Sequence, residues 1–429
     1  MEGKPDQDLD PNKDDLPLRA NTNHMLVRHY VLDLDVYFER KVIAGSIVLF
    51  LEPALGSLKQ GEPDCASNTP VINRSPVSSK HDASPHTTPE PNKPILPEEP
   101  SSLTAECDVE NCFWSPQSKE FTLVLDCCDL IVSNVEELDL CLNELDEDHQ
   151  YVNVDHQSCA LVQRLISMPS SRWRTQHKLY LECSHSPAVK NAQALQFYTD
   201  LWSLQIRKKG VCTPQEFPCA LRIQYETKPS GGSVRWTTDQ DGRCCVYTMG
   251  SPINNRALFP CQEPPVAMSK WQALVRAPCE FTVLMSGENQ AFPEPAETGF
   301  LQWEYYVTMP MPASTFTIAV GEWLEAGVNM TNFVDETQSL FFNTTEHPEY
   351  VCSHMDYPCR FMVGPPRAQT VLPHRVFAPP CHIQKAKDMV LPLLPRCLTA
   401  AHTVLGVHPF SRLDVLVVPS GFSSLGMAR

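Results

Sequence analysis

Glycine is scarce in this chain, 17 of 429 residues, and 39 prolines stand beside it. That mixture excludes flexible glycine linkers as the main connections and favours stiff, irregular ones between strands. No apolar run reaches the roughly 18 residues that a bilayer-spanning helix needs. The longest candidates are broken by Pro392, Pro395 and Pro419. The opening from Met1 to Asp15 is polar and acidic and lacks the basic start and apolar core of a secretory leader. The expectation is a soluble cytoplasmic chain, with the nucleus an open alternative and no membrane partner. Basic charge is also short, since 34 Lys and Arg face 51 Asp and Glu for a net −17. That balance argues against a nucleic-acid partner, and Arg207-Lys208-Lys209 is too short a run to reverse it.

Cysteine is plentiful, 18 residues, yet no C-x-x-C pair occurs. The adjacent pairs Cys127-Cys128 and Cys244-Cys245 would point to opposite faces of a strand, so structural zinc on cysteine is not expected. Without a leader the thiols should be reduced and mostly buried, and the sequons at Asn73, Asn329 and Asn343 silent. His347, His354, His374 and His382 gather in one region. Their spacings of seven, twenty and eight match no pair of ligands on one helical turn.

What is present is strand patterning. Tyr30, Leu32, Leu34, Val36 and Phe38 alternate with His29, Val31, Asp33, Asp35 and Tyr37, the period of a half-buried strand. Val42 to Leu51 is apolar at nearly every position and reads as its more buried hairpin partner, joined through Glu39-Arg40-Lys41. Further alternation runs from 221 to 323, through Leu221, Ile223 and Tyr225, then Phe281, Val283 and Met285, then Trp303, Tyr305, Val307 and Met309, then Phe316, Ile318 and Val320. Pro229-Ser230-Gly231-Gly232 and Ser286-Gly287-Glu288-Asn289 punctuate these runs as turns. The fold class expected is mainly β, a large curved antiparallel sheet or sandwich.

Other stretches carry less pattern. A polar tail covers residues 1–23. Residues 53–103, rich in Pro, Ser and Thr with no apolar period, read as a disordered insertion. The acidic run from Glu136 to Asp148 reads as a solvated loop. The span between Leu125 and Leu179 stays unassigned. Residues 326–380, of which 326–375 fall in the β-rich unit, look irregular. A helix is expected over Ile383–Val404, kinked or divided by Pro392 and Pro395. Leu413 to Val418 reads as a buried strand. The switch from β to α/β patterning places a boundary near residue 375, giving a β-rich unit over 24–375 and an α/β unit over 376–429.

Three stretches, taken in order, resemble the aminopeptidase N-like zinc metallopeptidases, in the branch that includes leukotriene hydrolase. His29 to Phe38 with Gly45 to Pro53 is similar to that family's opening hairpin. Asn255 to Pro265, N-R-A-L-F-P-C-Q-E-P-P, is similar to its Arg-x-x-x-Pro-Cys-x-acid-x-Pro block. Leu413 to Arg429 resembles the strand and loop that lead into its G-x-M-E-N exopeptidase motif. The resemblance implies a β-rich domain followed by the first elements of an α/β metallopeptidase domain. It further implies zinc as cofactor, peptides as substrates and release of N-terminal residues as the activity.

The departures define the expectation for this chain. Gly426 and Met427 match the exopeptidase loop and are its candidate substrate-binding remnant. Ala428 stands where the family has the amine-binding Glu, and Ser251 where it has a glutamine. None of the 14 histidines sits in H-E-x-x-H, the two ligands and base that zinc catalysis in this family requires. The chain is therefore expected to be a catalytically inactive, shortened form with no catalytic residues and no metal ligands of its own, a scaffold or interaction module; its oligomeric state is left open. Arg256 reads as a surface or buried-pair arginine and Cys261 as a packed thiol. Gly421 to Gly426 invites comparison with a G-x-S-x-G nucleophile elbow, but its second glycine comes one position late.

Overall fold

The computed structural model describes residues 16–54, 120–140, 157–190, 195–250, 254–289, 292–327, 374–405 and 412–419, with Leu9, Asp14 and Phe410 besides. The expected disordered insertion at 53–103 falls outside the described residues after Ala54. So do His347, His354, Ser251, Gly426 and Met427. All described residues belong to one unit, made of residues 1–57 and 120–429.

The opening hairpin forms as its alternation demands. Met25–Tyr37 pairs antiparallel with Val42–Pro53 across a four-residue turn in which Lys41 takes φ 53°. Gly45 opposes Leu34 in this hairpin. A Cβ built there would lie 1.9 Å from the Asp33 carbonyl oxygen, so only glycine lets the two strands approach. Around the hairpin grows an eight-stranded sheet. In spatial order it runs Glu288–Asn289, Phe300–Tyr306, Lys270–Pro278, Met25–Tyr37, Val42–Pro53, Ala220–Thr227 and Leu130–Glu137, with Glu294–Pro295 also on Phe300–Tyr306. Every pairing is antiparallel except that of Met25–Tyr37 with Lys270–Pro278, which is parallel. The mainly β, predominantly antiparallel architecture expected from the sequence is present, with that one parallel pair inside it. A parallel pair needs a long crossover, and the strands it joins are far apart in the chain.

One face of this sheet makes the main core. Tyr30, Leu32, Leu34, Ile47, Leu49, Ile223, Trp271 and Val275 pack there. Against them lie two smaller sheets. One has the order Thr282–Met285, Ile318–Gly321, Cys244–Thr248, Val234–Thr238; the other has the order Thr122–Asp126, Ser203–Arg207, Gln196–Thr199. Leu123, Leu204, Ile206, Val246, Val283 and Val320 bring their apolar faces into the same cluster. Each fully buried aliphatic side chain here contributes about 1.5–3 kcal/mol relative to exposure.

The other face is covered where the sequence left the chain unassigned. Helices Gln157–Ile166 and Trp173–Ser184 lay Leu161, Val162, Leu165, Leu179, Tyr180 and Cys183 on Val31, Val48 and Phe50. Gln176, Leu179, Tyr180 and Cys183 recur at helical spacing, which buries one stripe. His29 stacks on Tyr180 with ring centroids 3.9 Å apart and sets its Nε2 3.1 Å from Gln272 Oε1. Burial, helped by His177 and Lys270, holds its pKa well below the usual histidine value. The acidic run starts inside the fold, for Glu136 and Glu137 end the strand Leu130–Glu137. They pair with Arg222 and Lys208, and residues 141–148 lie outside the described residues.

A three-stranded sheet follows, in the order Leu324–Gly327, His374–Ala378, Leu413–Leu416. Both described ends of the segment read as irregular are thus strands, paired with each other; residues 328–373 fall outside the described residues. His374–Ala378 and Leu413–Leu416 run parallel, with helices Ile383–Met389 and Leu394–Leu405 between them in sequence. A 3-10 turn at Leu391–Leu393 separates these helices. Pro392 has no N–H to continue the first helix, and Pro395 fits the opening turn of the second. The strand Leu413–Leu416 was expected to be buried but is half-buried throughout, because it pairs on one side only among the described residues. No described helix is long and apolar enough to cross a membrane.

Candidate functional site

The block from Arg256 to Pro265 is held by the strand ends around it. Asn255–Ala257 forms a 3-10 turn whose Arg256 is wholly buried. Asn255 fixes that turn by donating from Nδ2 to the carbonyls of Ala313 at 2.6 Å and Phe316 at 2.7 Å. Its side chain fills the space a Cβ on Gly250 would need, 1.8 Å away. Asp126, at the end of Thr122–Asp126, exchanges two backbone hydrogen bonds with Cys261, 2.8 and 3.1 Å long. The Cys128 N–H donates to the Arg256 carbonyl at 3.1 Å. Sequence-distant segments thereby close on one buried arginine.

Two carboxylates share this enclosure. The Arg256 guanidinium lies 3.7 Å from Asp126 Oδ1 and 4.0 Å from Glu263 Oε1, with all three side chains at 0% exposure. Neither distance is a hydrogen bond. The hydrogen bonds go to backbone: Arg256 Nη1 donates to the Pro17 carbonyl at 2.5 Å. Asp126 accepts from the N–H groups of Arg19 at 2.6 Å, Ala20 at 3.2 Å and Glu263 at 2.9 Å. Glu263 Oε1 accepts from the Arg256 N–H at 2.8 Å. Burial pushes the Glu263 carboxyl up to about 7, outweighing the opposing pull of Arg256. Burial likewise raises the Cys261 thiol well above its usual value, so it is an unreactive packed thiol.

Gln262 links the block to the opening strand. Its Oε1 accepts from the Val27 N–H at 2.9 Å and its Nε2 donates to the Met25 carbonyl at 2.8 Å. Those bonds fall where the hairpin register shifts between Val27 and His29. The side-chain amide thus satisfies backbone that the bulge leaves without a strand partner. Nothing in the local sequence around Gln262 signals this role, which depends on a contact far along the chain.

These residues can do little chemistry on a substrate, because none of Arg256, Asp126, Glu263, Cys261 or Gln262 is more than 1% exposed. Zinc, which the resemblance implies, does not fit the described residues either. No group of three or more His, Cys, Asp or Glu among them could hold a metal ion. His177 is engaged with Glu304 at 2.9 Å, and His374 and His382 sit on a strand and at a helix start respectively. An open cleft of about 460 Å³ on the outer face of the large sheet is lined by Asp33, Gly45, Ser46, Ile131, Ser133 and Gln224. Its one cation, Arg276, is already neutralised by Asp33 at 2.6 Å and Asp35 at 2.5 Å.

No family model matches the chain. Aminopeptidase O of Rattus norvegicus is 47% identical over 462 residues, covering 99% of this chain and 55% of that protein. Aminopeptidase O of Homo sapiens is 48% identical over 460 residues, with the same coverage of both. Aminopeptidase B of Homo sapiens is 25% identical over 244 residues, 55% of this chain and 30% of that one. The solved native leukotriene A4 hydrolase from Saccharomyces cerevisiae aligns at 14% identity with a TM-score of 0.49, covering 99% of this chain and 42% of that chain. The chain spans about half, 55%, of the length of the aminopeptidase O relatives it matches.

Proposed function

We propose, from the premise that this chain belongs to the aminopeptidase N-like zinc metallopeptidase family in its aminopeptidase O branch, that its 429 residues serve as a non-catalytic scaffold. The parent activity of that scaffold is zinc-dependent release of N-terminal residues from peptides. The division into a β-rich unit through residue 375 and the start of an α/β unit after it belongs to the same proposal. So does the assignment of Gly426 and Met427 as a remnant of the exopeptidase loop.

The observation that carries the scaffold reading is the total burial of Arg256, Asp126 and Glu263. A group that meets neither solvent nor a cleft cannot touch a peptide, whereas a buried and backbone-bonded charge cluster fixes how segments meet. Chemistry supports the inactive half of the proposal. A zinc-bound water needs about three protein ligands and a base, and no H-E-x-x-H occurs in these residues. Ala428 supplies no charge for a substrate amine.

The test is to purify the chain, measure bound zinc by mass spectrometry and follow amino-acid release from a fluorogenic amide. Substoichiometric zinc and no turnover are expected. Near-stoichiometric zinc with chelator-sensitive turnover would overturn the proposal and direct attention to His347, His354, His374 and His382.

A further inference from the structure

We propose that the outward face of the helical layer, residues 157–190, docks an acidic peptide segment of a partner protein. The proposal is independent of the scaffold reading, since it concerns a face that neither the zinc chemistry nor the buried arginine cluster involves.

Charge distribution is the first observation. Residues 157–190 carry five Lys and Arg against the single acid Glu182, a formal +4 inside a chain of net −17. The rest of the chain therefore holds −21. Burial is the second. The inward stripe of Trp173–Ser184 is committed to the sheet through Leu179, Tyr180 and Cys183. Arg164, Arg172, Arg174, Lys178, His185 and Lys190 are all exposed. Packing has sorted this layer into an apolar inner face and a cationic outer one.

Part of the outer face is ordered in advance. The Arg174 guanidinium lies 4.6 Å over the Trp173 ring, and that ring stacks on Tyr306 with centroids 5.3 Å apart. A guanidinium held over an aromatic ring can keep N–H donors available to carboxylates and loses less freedom on binding than an unsupported side chain. Lys178 meets Glu182 at 3.3 Å, but with the lysine 72% exposed this contact is readily exchanged for another carboxylate.

Size and surroundings select the occupant. The longer helix has 12 residues, about 18 Å, the span of roughly five or six residues of extended peptide. A Debye length of about 8 Å at physiological salt lets a short acidic segment sense the local cations rather than the acidic remainder. A nucleic-acid duplex, with one charge per roughly 1.7 Å along its axis, would run past the patch into that repulsive remainder.

The experiment uses the whole chain and fluorescence anisotropy with labelled oligoglutamate, labelled oligoglutamine and a labelled DNA duplex. Oligoglutamate should bind, with affinity falling as salt rises, and oligoglutamine should not. The double variant Arg172→Glu with Arg174→Glu should weaken oligoglutamate at least about tenfold, as expected when charge complementarity is reversed. Lys190→Glu, at the far end of the layer, should weaken it less. Circular dichroism checks that each variant keeps its fold, and a double variant that did not would leave Lys190→Glu and the salt series to decide. Equal binding of oligoglutamine, affinity unchanged by charge reversal, or tighter binding of duplex than of oligoglutamate would each overturn the proposal.

Discussion

Two arginine-centred clusters in this molecule differ in burial and in contact geometry. Arg256 sits with Asp126 and Glu263 at 0% exposure. Arg412 and Arg375 sit with Asp414, whose side chain is 23% exposed, on the three-stranded sheet. The open cluster has the better contacts. Arg375 grips Asp414 through two bonds of 3.0 and 2.8 Å. Arg412 reaches Asp414 at 2.8 Å and the Gly287 carbonyl at 2.7 Å and also bonds Asn289, tying this sheet to the edge of the large one. In the buried cluster the charges stay 3.7 and 4.0 Å apart. The closer contacts thus belong to the cluster whose loss is expected to cost less. An exposed pair exchanges its bonds with water at little cost, while a dehydrated charge has no such alternative.

The largest effect that sharpens this contrast is expected from Arg256→Ala. It leaves Asp126, and above about pH 7 Glu263 as well, enclosed without a cation and should cost about 3–5 kcal/mol, read as a lowered urea midpoint. Arg256→Lys keeps the charge but loses the fork that reaches Pro17, and should fall between Ala and the native residue. If Arg256→Ala destabilises no more than Arg412→Ala, burial is not the variable that separates the clusters.

Glu263→Gln gives the next effect, through pH. Burial pushes the folded-state carboxyl up to about 7, above the 4.5 of an unperturbed Glu. Between those values the folded chain holds the proton and the unfolded chain does not. The contribution of Glu263 is thus fully present below about pH 4.5 and is lost as pH rises through 7. The stability of the native chain minus that of the variant should decline by up to about 3 kcal/mol from pH 4.5 to 8. A flat or rising difference would mean that Arg256, not burial, governs Glu263.

How much of this was legible follows from how local each feature is. The opening hairpin and the strands after Leu221 could be read because alternation is a property of neighbours in sequence, and Pro392 announced the break between the two C-terminal helices. The helical layer escaped because Pro169 and a serine-rich turn interrupt its period, and its buried positions include Gln176 as well as Leu179. The parallel strand pair escaped because register between Met25–Tyr37 and Lys270–Pro278 is set by side chains remote in sequence. The Arg256 block marked kinship, yet its zero exposure depends on Asp126 and on Pro17, neither of which stands near it in the chain. The candidate pair Gly426 and Met427 lies outside the described residues and stays a proposal.

The smallest effect comes from the open cluster and tests the other end of the comparison. Asp414→Asn removes the carboxylate that Arg375 and Arg412 share but leaves an amide oxygen to accept one bond. Glu325, 3.1 Å from Arg375, and Glu288, 3.9 Å from Arg412, remain to balance the charge. Such a partly exposed pair contributes about 0.2–1 kcal/mol, screened by salt. The loss should therefore shrink as ionic strength rises. It should also be local: amide exchange should quicken across His374–Ala378 and Leu413–Leu416, while Leu32 and Leu34 in the main core keep their protection. A salt-independent loss as large as that of Arg256→Ala, with exchange quickening throughout the large sheet, would show that the seam at Asp414 supports the whole fold, and the contrast between the two arginine clusters would collapse.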